Sequence, residues 1–95
     1  MQTITISAPQ SVASLTKHAI TRANQRGLKT ADLQLVFAMA DQEREAGGGC
    51  YKVSLSTQAL EELRAEGRVS ASRAERLRRI QIVTDGRSII TNYRN

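Results

Sequence analysis

Residues 80–93, Ile80-Gln81-Ile82-Val83-Thr84-Asp85-Gly86-Arg87-Ser88-Ile89-Ile90-Thr91-Asn92-Tyr93, hold two runs rich in β-branched side chains on either side of Asp85-Gly86. That dipeptide favours a two-residue type I′ turn, so the stretch predicts a C-terminal β-hairpin. A two-residue turn sets the register. Thr84 faces Arg87, Ile82 faces Ile89, Ile80 faces Thr91 and Arg78 faces Tyr93. Ile82 and Ile89 then form the buried pair, with Thr91 and Tyr93 further along the same face.

Working back from the hairpin, Ser72 with Glu75 three residues on resembles a capping box that opens a short basic helix through Arg79. Ser56 or Thr57 caps another helix through Ala59, Leu60 and Leu63, which stops at Gly67. Before it, Tyr51, Val53 and Leu55 alternate with Lys52 and Ser54, the pattern of a half-buried strand. Gly47-Gly48-Gly49 makes a flexible loop. Thr30 can cap a helix whose Leu33, Val36, Phe37 and Ala40 follow the i, i+3, i+4, i+7 spacing and whose pattern fades at Glu45. Residues 10–26, entered at Ser7 or Ser11, place Val12, Leu15, Ala19 and Ala23 on one face of a further helix that ends at Gly27. Met1–Ser7 alternates as a short strand. No repeat or linker interrupts residues 1–95. The expectation is a single α+β domain, two N-terminal helices packed in two layers on a small antiparallel sheet.

Composition narrows the function classes. No apolar run approaches the roughly 20 residues of a membrane span. Residues 1–20 show neither a basic n-region nor an apolar h-region, so the expected location is cytoplasmic. The lone Cys50 excludes an intrachain disulfide, and one Cys with one His does not make a usual zinc site; no metal or cofactor is expected. The net charge of +5 is unevenly spread. Residues 1–30 carry four bases and no acid, residues 31–66 seven acids against three bases, and residues 67–95 seven arginines against two acids. Segregated positive charge points to a polyanionic partner such as RNA; the alternative is a solvated surface that serves solubility.

Three groups of residues are candidates for a site. His18, Arg22 and Gln25 share a polar stripe on the first helix, with Arg26 a turn further along and closer to its apolar face. An imidazole beside guanidiniums is the chemistry of metal-free RNA cleavage, where a proton moves while cations hold the phosphate. Arg73, Arg76, Arg78 and Arg79 lie within seven residues, and arginine suits bidentate phosphate contact. Arg87 and Arg94 flank the Thr91 and Tyr93 hydroxyls, and a sheet tyrosine can stack on a base or pack against a helix. An open sheet edge also admits a protein partner.

The pattern His18-Ala19, Arg22, Gln25-Arg26-Gly27, an Asp32-Leu33 helix, Val83-x-Asp85-Gly86 and Ile89-Ile90-Thr91-x-Tyr93 resembles a prokaryotic family known as domain of unknown function 4258. The resemblance spans roughly residues 15–94. That family's layout is similar to the superfamily of RelE-type toxins, barnase-like and EndoU-like nucleases, which are small metal-independent ribonucleases with N-terminal helices on a four-stranded sheet. The resemblance implies His18 as general acid or base, Arg22 and Arg26 as phosphate clamps, and Thr91 and Tyr93 completing the pocket. A toxin-like ribonuclease would have a cognate antitoxin. The alternative function is a non-catalytic nucleic-acid-binding or protein-interaction module. Residues 56–79, with helices of their own, depart from a plain sheet connection.

Overall fold

The computed structural model describes residues 13–94, and the strand expected over Met1–Ser7 lies outside them. The described chain runs β1 (Ser14–Leu15), α1 (Lys17–Arg26), α2 (Thr30–Met39), β2 (Gln42–Gly47), β3 (Cys50–Ser54), α3 (Thr57–Ala65), α4 (Ala71–Arg78), β4 (Ile80–Thr84) and β5 (Ser88–Arg94). This is an α+β fold of four helices and one five-stranded sheet in the order β1-β5-β4-β3-β2. The sheet is mixed rather than wholly antiparallel, because β1 pairs parallel to β5.

Small hydroxyl side chains set three of the helix starts. The Oγ of Thr16, Ser56 and Ser70 accepts from the backbone N–H three residues on, opening α1, α3 and α4. The α1 start is therefore not at Ser7 or Ser11. Leu15 belongs to β1, and the Thr16 hydroxyl also donates to the Ile90 carbonyl at 2.8 Å, which holds the chain in the sheet before the helix begins. Ser70, not Ser72, caps α4; Ser72 lies inside the helix, and Glu75 pairs with Arg78. In α2 the helix starts at Thr30 itself, after Lys29. Gly27 terminates α1 at φ 68°, its N–H shared between the Ala23 and Asn24 carbonyls, a left-handed conformation that costs glycine nothing sterically.

The fading of the second helical pattern before Glu45 marks a strand. Gln42-Glu43-Arg44-Glu45 forms β2 at the sheet edge, exposed along its whole length, and turns into β3 through the triple glycine. Charged side chains along such an edge discourage pairing with a foreign strand.

The hairpin is correctly located, but its register differs. Ile82 pairs with Asn92 rather than Ile89, Val83 with Thr91, Gln81 with Tyr93 and Ile80 with Arg94. A type I′ turn needs both central residues at positive φ. No residue other than glycine has positive φ among those described, so Asp85 does not take that place. Its carboxylate instead accepts from the N–H groups of Arg87 and Ser88 at 2.9 and 2.8 Å, closing an Asx-type turn over three residues. The pairing then shifts by one residue between Val83 and Thr84, a β-bulge at Ile89–Ile90.

That extra residue reverses the alternation of β5 beyond it. Ile89 and Asn92 both face inward, and Thr91 and Tyr93 lie on the opposite face from Ile82. The buried apolar side chains form one cluster: Val53, Ile80, Ile82 and Ile89 from the sheet with Ala19, Ala23, Leu33, Val36, Leu60, Leu63, Ala74 and Leu77 from the four helices. Among the described residues, the other face of the sheet has no helix over it.

Candidate nucleic-acid interface

The uncovered face is built by strand register. Arg44 pairs with Lys52, Lys52 with Val83, and Val83 with Thr91, so one row of side chains crosses from β2 to β5. The next row ends at Gln81 and Tyr93. Over these rows lies a shallow groove of about 420 Å³, lined by Arg44, Lys52, Val83, Thr91 and Tyr93, with Glu45 and Ala46 at the β2 side. A smaller hollow of about 280 Å³ adjoins it, between Gln42, Arg44, Lys52, Ser54 and Gln81.

Tyr93 is the centre of this face. Its side chain is 39 % exposed. The Lys52 ammonium lies 5.3 Å from the ring centroid and the Arg26 guanidinium 5.5 Å, both within cation–π range. Arg26 reaches the ring from the last turn of α1, which packs along β5 through Ala19 and Ala23. One buried Arg26 nitrogen, Nη1, has no hydrogen-bond partner among the described residues. An exposed aromatic ring with two cations beside it offers a nucleic acid both a base-stacking surface and phosphate contacts.

The structure brings together only part of the residues singled out in the sequence. Arg26, Thr91 and Tyr93 meet on the open sheet face. His18 and Arg22 are exposed on α1; Arg22 donates to Gln25 at 3.4 Å, and His18 makes no hydrogen bond or ion pair among the described residues. The arginines of α4 divide by role. Arg73 and Arg76 direct their Nε atoms at the two carboxylate oxygens of Asp32, at 2.8 and 3.4 Å. Asp32 is 4 % exposed in its side chain, so these arginines neutralise a carboxylate inside the fold. Arg78 pairs with Glu75 on the surface. Arg79 has no ion pair among the described residues, and Arg87 is exposed at the hairpin turn.

Sequence reading passed over Arg44 and Lys52. Lys52 stood out only as the polar partner in an alternating strand, and Arg44 lies in a segment read as the end of a helix. The alternation of β3 was the one available signal for Lys52, since it sends Lys52 to the face opposite Val53. Comparison with family models, with curated proteins and with solved structures finds no match to this chain.

Proposed function

We propose that this protein binds single-stranded RNA across the open face of its sheet. A base stacks on Tyr93, and the adjoining phosphates meet Arg26, Lys52 and Arg44. The observation that carries this reading is the exposed Tyr93 ring with two cations over it, on a face that no described helix covers. Single strands fit better than duplexes, because stacking on an aromatic ring needs an unpaired base. Helices packed on an antiparallel sheet are also the layout of the RelE-like and barnase-like superfamily that the sequence resembles, there with four strands and here with five, one of them parallel.

The test is fluorescence anisotropy of a short labelled RNA. Tyr93→Ala is expected to weaken binding about tenfold, in line with the ~1–3 kcal/mol attributed to one stacked base. Lys52→Ala should weaken it as well, and a duplex of the same sequence should bind less tightly than the single strand. Equal affinity of wild type and Tyr93→Ala rejects the interface.

Cleavage is a second reading, favoured by the meeting of Arg26 with Tyr93, two of the five residues that the resemblance implies. It assigns proton transfer to His18. Incubation of the same RNA with wild type and His18→Ala separates the two readings. Fragments that disappear in the variant establish cleavage, and intact RNA with both proteins leaves binding alone.

A further inference from the structure

A hollow larger than the sheet-face groove lies elsewhere among the described residues. It has a volume of about 660 Å³ and lies where the end of α1, the start of α2, one side of α4 from Ser72 on and the adjoining ends of β4 and β5 meet. That volume falls in the range of small-molecule sites, about 300–1,000 Å³. Its lining carries four cations, Lys29, Arg76, Arg79 and Arg94, together with the apolar Leu28 and Ile80.

The two carboxylates in the lining do not balance this charge, because each is already engaged. Asp32 is held by Arg73 and Arg76, and Glu75 by Arg78. Lys29, Arg79 and Arg94 have no ion pair or side-chain hydrogen bond among the described residues. Asp32 also acts as a positioning residue. A buried carboxylate that takes the Arg76 Nε leaves that guanidinium's Nη groups free while fixing its fork, which favours bidentate contact with phosphate. Three unpaired cations and one pre-oriented arginine around a single cavity call for an anion of more than one charge. A bare phosphate would occupy a small part of the space, and the partly exposed Leu28 in the lining can meet the ring system of a nucleoside.

We propose that this cavity binds the phosphate monoester of a nucleotide, either a free mononucleotide or the phosphorylated end of an RNA strand. The two sources share one chemistry, and the sequence joins the cavity to the sheet face at two points. Gly27 in the cavity wall follows Arg26, and Arg94 follows Tyr93. Neighbouring strand residues point to opposite faces, so a strand stacked on Tyr93 would pass round the edge of β5 to reach the cavity; this second source rests on the sheet-face reading, and the free nucleotide does not.

Calorimetric titration of the full chain tests the proposal with four probes: AMP, adenosine, and one short RNA with and without a 5′-phosphate. AMP is expected to bind at least about tenfold more tightly than adenosine, because the charged hydrogen bonds go to the phosphate. Arg79→Gln and Arg94→Gln should each lower AMP affinity by about the same factor, while Tyr93→Ala leaves it unchanged. If AMP binds weakly but the 5′-phosphate raises RNA affinity, and both arginine variants remove that gain, the strand end is the source and the proposal stands. AMP binding that equals adenosine binding, or that is indifferent to both arginine variants, overturns it unless the 5′-phosphate shows such a gain. AMP binding without RNA binding rejects the sheet-face reading and leaves this one intact.

Discussion

Asn92 is wholly buried on the inward face of β5, opposite Ile82. Its Nδ2 donates to the Ala19 carbonyl at 3.0 Å, while its Oδ1 finds no partner among the described residues. The bond ties β5 to α1, so Asn92→Ala is expected to lower stability by about 1–3 kcal/mol, read as a shift in urea midpoint. Acid should act through two other side chains. The hydroxyl and N–H of Ser56 hold Asp41 below its ordinary value of 3.8, and the N–H groups of Arg87 and Ser88 do the same for Asp85. A carboxyl whose folded pKa is depressed contributes stability above its unfolded pKa and loses it as pH falls towards the folded value. The urea midpoint should therefore decline below about pH 4, and the Asp41→Asn, Asp85→Asn double variant should decline less. Equal acid sensitivity in the variant would refute this. At this scale the sequence was a partial guide. The polar stripe of α1 follows from helical geometry alone, but where Thr91 and Tyr93 point depends on one extra residue at Ile89–Ile90, which strand alternation does not reveal.

Elements were more legible where a local device fixes them. The apolar spacing of Leu33 and Val36, the Gly27 stop, the Ser56 start and the hairpin around Asp85-Gly86 are all visible in the amino acids. Two strands were not. β1 is two residues long and depends on backbone pairing with β5, and β2 is polar on both faces, so neither leaves an alternating pattern. Ser56 joins two elements, since its hydroxyl accepts from Ala59 N–H in α3 and donates to Asp41 before β2. Ser56→Ala should cost about 1 kcal/mol, the usual value of a lost N-cap. It should also remove part of the acid sensitivity, because Asp41 loses its hydroxyl donor. Loss of stability with unchanged acid sensitivity would separate the cap from the carboxylate.

Across the whole molecule, the segregation of charge along the chain is partly undone by folding. Asp32, from the acidic middle, draws in Arg73 and Arg76 from the basic end, whereas Arg26, Lys52 and Arg44 remain spread over the open sheet face. If all three contact phosphates, the logarithm of RNA affinity should fall with the logarithm of salt at a slope of about −2, and Lys52→Ala should flatten it by about 0.7. A slope near zero would mean that binding neutralises no phosphates and would reject the phosphate contacts. The fold class was readable in the sequence, as were Arg26, Thr91 and Tyr93 as candidates; the face that joins them to Arg44 and Lys52 was not, because it gathers residues from α1, β2, β3 and β5.

The parallel pairing of β1 with β5 bears on how the protein is made. Thr16 and Ile90 are bonded across 74 positions of sequence. A chain emerging from the ribosome holds Thr16 early but meets its partner only after Ile90 has been synthesised and released. Until then α1 lacks the strand it packs on, and the hairpin β2–β3 and the pair α3–α4 are the pieces able to assemble first. Closing so long a loop late slows the final step. Nascent chains stopped short of β5 would present the apolar side of α1 to chaperones and proteases, so the fold cannot close before β5 has been made.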